Sequence, residues 1–233
     1  MKKLYPLLSV LFLISISISQ NKVNVNNLFK HGDKYYRENE YIPYGGIVFD
    51  VSKETRNKTL QFRMIDGFKN GSYEEWYSNG RPKTVGEYLN NDSTNSWTEW
   101  FENGKKSKKG TYKNNSRDGL FYRWYENGQK KFEGTYNNGK RDGSWIKWYE
   151  NGKKEIESIF QDGIERGLVI EWYENGLKRE ERTFKQILTY TDKGMKKKRK
   201  TYKKLFTYYD TGNIKREKNY KSGKKWGLEI LYH

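Results

Sequence analysis

The chain has 233 residues, a net charge of +17 and only 33% hydrophobic residues, yet 17% are aromatic, with 8 Trp and 20 Tyr. So little aliphatic material excludes a large conventional globular core, and so many rings argue against a disordered chain. A single sheet held by aromatic cross-strand pairs fits the composition better, and the absence of cysteine excludes a disulfide scaffold.

Taken in order, residues 1–19 read as a secretory signal peptide. Lys2 and Lys3 precede a mostly apolar run, and Ser17 and Ser19 are small residues at the −3 and −1 positions of a cut before Gln20. The rival reading, a membrane anchor, needs about 20 apolar residues, more than this run supplies. Without a Cys near the cut, a lipoprotein anchor does not arise. The expected location is therefore outside the cytoplasm: periplasm, cell envelope or secreted.

Residues 20–45 form a lead-in, with short strands expected at Asn27–Lys30 and Lys34–Arg37 around the turn His31-Gly32-Asp33. Its expected role is to cap the first edge of a repeat array. Residues 46–233 carry the repeats. Gly46–Val51 and Leu60–Ile65 read as a degenerate first hairpin. From there Trp76, Trp100, Trp124, Trp148 and Trp172 follow one another at intervals of 24 residues, the mark of a repeat architecture.

The clearest unit is Gly119–Asp142, with Trp124-Tyr125-Glu126-Asn127-Gly128 followed by Gly134-Thr135-Tyr136 and Asn137-Asn138-Gly139-Lys140. Aromatic-rich strands alternate with Asn-Gly turns, so one repeat is one β-hairpin. Gly139, Gly163 and Gly223 share a column that Asn91 and Asn115 fill in earlier repeats, as a left-handed backbone position would require. A three-residue loop with a bulge would pair Tyr125 with Gln129. It is expected to gather Tyr122, Trp124, Phe132, Gly134 and Tyr136 on one face, with Trp124 over Gly134 and with Phe121 and Tyr125 opposite.

After Trp172 the phase breaks. Tyr208 takes the Trp place, one period plus 12 residues later. The insertion, at about 185–204, carries Lys196, Lys197, Lys198, Arg199, Lys200, Lys203 and Lys204, a candidate basic patch. Insertions of this kind map to loops, often on a binding face. Gly227–His233 reads as a final half-repeat whose edge could pair with a second copy, giving a homodimer, or with a partner strand.

The pattern W-Y-x-N-G-x-x-K-x-x-G-x-Y-x-x-G-x-x-x-G resembles the MORN repeat in its bacterial variant, and the chain also resembles the YwqK-type proteins commonly called antitoxins. That resemblance implies a protein-interaction role, with a toxin as partner. The expected fold is an all-β, elongated, twisted antiparallel meander of stacked hairpins, open at its ends.

Catalytic readings lack parts. His31 and His233 have no nucleophile motif beside them, no Cys/His cluster has metal-ligand spacing, and the spaced glycines lack the Gly-Lys-Ser/Thr ending of a phosphate loop. The expectation is a non-enzymatic protein without metal or cofactor. Glu102, Glu126, Glu150 and Glu174 recur at one turn and read as solvated, neutralised by Lys106, Lys130, Lys154 and Lys178. The column Tyr77, Phe101, Tyr125, Tyr149, Tyr173 and Tyr209 is the candidate binding face, because a single-layer sheet leaves one aromatic ladder accessible. The charge also permits an anionic membrane surface or acidic polysaccharide as partner; export disfavours nucleic acid.

Overall fold

The computed structural model describes residues 21–190 and 196–232, with side chains of 184–190 and 196–202 left aside. The expected signal segment lies outside the described residues. The lead-in comprises β1 (Lys22–Asn24), a 3-10 turn (Val25–Asn27), β2 (Leu28–His31) and β3 (Lys34–Arg37). The repeats begin with β4 (Gly46–Val51), β5 (Lys58–Ile65), β6 (Phe68–Trp76), β7 (Pro82–Leu89), β8 (Asp92–Trp100) and β9 (Lys106–Lys113). They continue through β10 (Ser116–Trp124), β11 (Lys130–Asn137), β12 (Lys140–Trp148), β13 (Lys154–Gln161) and β14 (Ile164–Trp172). Two long strands, β15 (Lys178–Tyr190) and β16 (Lys196–Tyr208), then lead to β17 (Ile214–Lys221) and the fragments β18 (Lys224–Lys225) and β19 (Ile230–Leu231).

β4 to β17 pair antiparallel in chain order, each with the next. β1 adds in parallel to β4, while β18 and β19 cover parts of β17, giving an open sheet of 17 strands. β2 and β3 form a separate hairpin, joined to the β5–β6 turn by Tyr35 N–H donating to the Gly67 carbonyl, while Tyr44 bridges the two, its N–H donating to the Tyr35 carbonyl and its carbonyl accepting from Gly67 N–H.

Two kinds of turn alternate. Asn137 pairs with Lys140 across a two-residue turn, in which Asn138 and Gly139 both have positive φ, 46° and 79°. Asn114 and Asn115 repeat this at 48° and 62°. Both-positive turns match the twist of paired strands, which is why the column holds only Gly or Asn. At the other end Tyr125 N–H donates to the Gln129 carbonyl, closing the longer Glu126-Asn127-Gly128 turn as expected.

The side-chain faces differ from the expectation. Trp124 pairs with Lys130, but Arg123 pairs with Phe132, so Lys131 is an extra residue on the bulged strand. That one-residue insertion reverses the alternation. Phe121, not Trp124, shares a face with Phe132 and Tyr136, and Trp124 stacks on Tyr122 on the other side. The indole over Gly134 belongs to Trp145, from the next strand.

The buried column is therefore Trp97, Phe121, Trp145 and Val169, again at intervals of 24. Small residues separate its members: Gly86 and Gly110 flank Trp97, and Gly134 and Ser158 flank Trp145. Ring contacts run unbroken from Phe62 through Tyr73, Trp97, Tyr112, Phe121, Phe132 and Trp145 to Phe160. The lead-in closes the first end of this face, where Val23 and Tyr44 pack with Val48, Phe62 and Met64.

The insertion is an extension of the sheet and not a loop. Lys185 to Tyr190 of β15 pair in register with Tyr202 to Lys196 of β16, so two 13-residue strands replace two ordinary ones. The last half-repeat is less regular than expected: Trp226 to Glu229 break it into two fragments of two residues.

Candidate functional site

The rows of the repeat have separate jobs. The Tyr column stitches one repeat to the next. The hydroxyls of Tyr77, Tyr125 and Tyr149 donate to the carbonyls of Trp100, Trp148 and Trp172 at 2.7, 2.8 and 2.7 Å. Tyr173 and Tyr209 do the same to Tyr208 and Tyr232, and Phe101 stands in the column without a hydroxyl. Burial pushes the Tyr77, Tyr125 and Tyr149 phenols up, so they remain protonated donors at neutral pH. These rings are half-buried, apart from the exposed Tyr209.

The turn Asn residues make a second stitch. Asn127 Oδ1 accepts from Gln129 N–H, while its Nδ2 donates to the Glu150 carbonyl; Asn103 and Asn151 reach Glu126 and Glu174 likewise. The Glu row thus contributes its backbone to the turns. Lys130, Lys154 and Lys178 do not neutralise it: they pair with Glu133, Glu157 and Glu181 and lie over the rings of Trp148, Trp172 and Tyr208.

Of the basic insertion, Lys196, Lys197, Lys198, Arg199 and Lys200 lie on β16, and their side chains fall outside the described residues. Lys203 lies over the Tyr220 ring, and Lys204 lies over Phe206 and pairs with Glu217 at 3.0 Å. Among the described residues no group of three His, Asp or Glu side chains is placed to hold a metal ion.

The ladder face holds a groove of about 360 Å³ across β10 to β14. Its floor is Phe132, Trp145, Ile156 and Phe160, and Phe132 and Trp145 stack at 5.0 Å. Arg117 and Arg141 form one lip. Each guanidinium lies over two rings, Phe121 and Tyr136 for Arg117, Trp145 and Phe160 for Arg141, at 4.4 to 5.1 Å. Arg117 also donates to the Tyr136 hydroxyl at 2.6 Å. Arg123 and Lys147 form the other lip, with Lys131 beside them. Among the described residues no carboxylate lies within ion-pair distance of Arg117, Arg123, Lys131 or Arg141, whereas Lys147 is paired with Glu155.

The groove is a local feature of a periodic sheet. Position 117 of the repeat holds Lys69, Ser93, Arg117, Arg141 and Glu165, and position 123 holds Glu75, Glu99, Arg123, Lys147 and Glu171. Only the two central repeats are basic at both. The acids on either side are already matched. Glu99 pairs with Lys108. Glu171 takes Arg179 and Arg182, and Arg182 also meets Glu165 and Glu180. Burial pushes the Glu171 carboxyl up, but hydrogen bonds from Arg182 and Arg179 outweigh it and hold the group below the usual carboxylate range.

Sequence reasoning passed over this groove. The signal was available in the column at 117, where two Arg stand between Ser93 and Glu165, but the misplaced face put Phe121 on the wrong side and hid the floor.

Comparison with known families finds a match to part of the repeat array. Residues 94–114, 117–138, 141–162 and 202–222 match the MORN repeat variant. Four segments of the chain are thus similar to the MORN repeat variant. Two consecutive matched segments, 117–138 and 141–162, hold every lining residue of the groove except Glu165, and the fourth begins within β16, the second strand of the lengthened hairpin. The same stitching continues outside the matched segments: the Tyr77 hydroxyl donates to the Trp100 carbonyl as Tyr125 does to Trp148, and Asn79 donates to the Glu102 carboxylate where Asn127 donates to the Glu150 carbonyl. A search of curated proteins found no match.

Proposed function

We propose that the chain is a non-enzymatic, exported MORN-repeat protein that binds a protein partner along the open half of its ladder face. One observation carries the reading. The groove across β10 to β14 has an aromatic floor, and among the described residues four of the cations around it, Arg117, Arg123, Lys131 and Arg141, have no carboxylate within ion-pair distance. Rings supply contact area at low entropic cost, and unmatched charge supplies orientation. The Tyr column does not serve this role as directly, because its hydroxyls are engaged between repeats. The likeness to the YwqK-type family adds a toxin as candidate partner, and the Lys2-Lys3 start with its apolar run supports export.

The test is capture of partners from an envelope extract by the wild-type chain and by Arg117→Glu/Arg141→Glu, at low and high salt. A partner retained at high salt by the wild type and lost by the variant is the expected result. A partner captured equally by both refutes the assignment to the groove. The second reading, adhesion to anionic lipid or acidic polysaccharide, is favoured by the net charge of +17. It predicts capture that vanishes at high salt, since screening weakens such contacts steeply.

A further inference from the structure

We infer that the groove takes an extended acidic segment of the polyproline-II type, with a carboxylate at every third residue; the inference deepens the proposed protein-binding role and rests on it. The pitch of the sheet leads to this. Arg117 and Arg141 are equivalent residues of adjacent repeats, on β10 and β12, two strands apart. Strands lie about 4.8 Å apart, so the two stand roughly 9.6 Å apart along the sheet. A polyproline-II chain advances about 3.1 Å per residue with three residues per turn, so every third side chain projects the same way at about 9.3 Å intervals. A β-strand matches less well. Its third residue comes at about 9.9 Å but on the opposite side of the chain.

The floor suits the same occupant. Arg117 pairs across to Tyr112 and Arg123 to Lys108, four residue steps on β9, so the lips are about 13 Å apart. Between them the half-buried Phe132 and Phe160 flank the buried Trp145 and leave an apolar, ring-lined floor, the kind of surface on which proline-rich segments dock. The Arg117–Arg141 lip is the one that reads carboxylates. Each guanidinium lies over two rings, which limits its movement, and of its five donors Arg117 engages Tyr136 and Tyr112, leaving others for a ligand. Glu165 closes the row on one side and Ser93 leaves it without charge on the other, so two carboxylates, four residues from first to last, fill the basic window.

The experiment uses the full chain and two labelled synthetic peptides of equal composition, followed by fluorescence anisotropy at near-physiological salt. One peptide repeats Glu-Pro-Pro five times. The other has its five glutamates consecutive. The expected result is at least tenfold tighter binding of the phased peptide, with the preference lost in Arg117→Gln/Arg141→Gln and kept in Lys109→Gln/Lys113→Gln, which removes the same charge elsewhere. Equal affinity for the two peptides, or no binding of the phased one, overturns the pitch inference. The groove reading then still stands if the envelope partner requires Arg117 and Arg141, and falls with the inference if it does not. Binding of phosphatidylserine vesicles in preference to either peptide, abolished by the same double variant, overturns the inference in favour of a lipid surface.

Discussion

Gly134 lies directly beneath the indole of Trp145, so close that a Cβ on the glycine would come within 2.4 Å of Cδ2 and Cε2. Gly86 under Trp97 and Gly110 under Phe121 repeat the relationship. The glycine is needed because a ring from the adjacent strand uses the space of a side chain. Gly134→Val would push the indole off the sheet and disturb its contacts with Phe132, Tyr136 and Phe160. Overpacking of this kind costs about 1–3 kcal/mol. Lys131→Val, at the exposed bulge position, is the control and should shift the denaturation midpoint much less. Equal shifts would contradict the register.

The Tyr stitch gives a smaller, graded effect. Tyr149→Phe removes one hydroxyl bond to the Trp172 carbonyl, and a bond of this kind contributes about 0.5–1.5 kcal/mol net. Phe101 shows that the column accepts a ring without the hydroxyl. Because each repeat contacts only its neighbours, Tyr77→Phe and Tyr149→Phe, three repeats apart, should add in the double variant within experimental error. Urea titrations of the single and double variants check this; strong non-additivity would mean that the repeats are not independent units.

How legible was this in the sequence? The 24-residue phase, the hairpins, the left-handed column at Asn91, Asn115 and Gly139 and the lead-in hairpin were all readable, because each is a local backbone requirement with its own residue signature. Which face each ring takes was not. It turns on a single bulge at Lys131, and Lys130-Lys131 carries no mark of which residue is the extra one. The insertion misled for a different reason. A run such as Lys196–Lys200 looks like a solvated loop, but the two arms of a longer hairpin pair backbone to backbone, Gln186 against Thr201 and Ile187 against Lys200. The groove needed both faces and columns together, since no single repeat contains both lips and the floor.

The charge cage beside the groove predicts a pH dependence. Glu171 has a folded pKa below its unfolded value, so its contribution is present above the unfolded pKa and is lost as pH falls through the folded one. Glu171→Gln should therefore destabilise the sheet most near neutral pH, and the gap from wild type should close below about pH 4, the ordinary range of a glutamate. Thermal unfolding of both proteins from pH 7 to pH 3 measures it. A gap that stays constant across that range would show that Glu171 acts by shape and not by charge.

The last edge of the sheet offers another test. β18 and β19 cover β17 with only two residues each, and Trp226, Leu228, Leu231 and Tyr232 stay exposed around them. An edge so apolar and so thinly covered leaves backbone donors and acceptors open to another strand. We propose that a second copy adds a strand there. The expected signature is slower amide exchange at Leu228, Ile230 and Tyr232 as protein concentration rises, together with a concentration-dependent sedimentation coefficient. Glu229→Lys should weaken the association, because Glu229 anchors the fragment through Arg216, Lys218 and Lys225. Exchange as fast as in a free peptide at every concentration would leave this end as a frayed terminus and remove edge pairing from consideration.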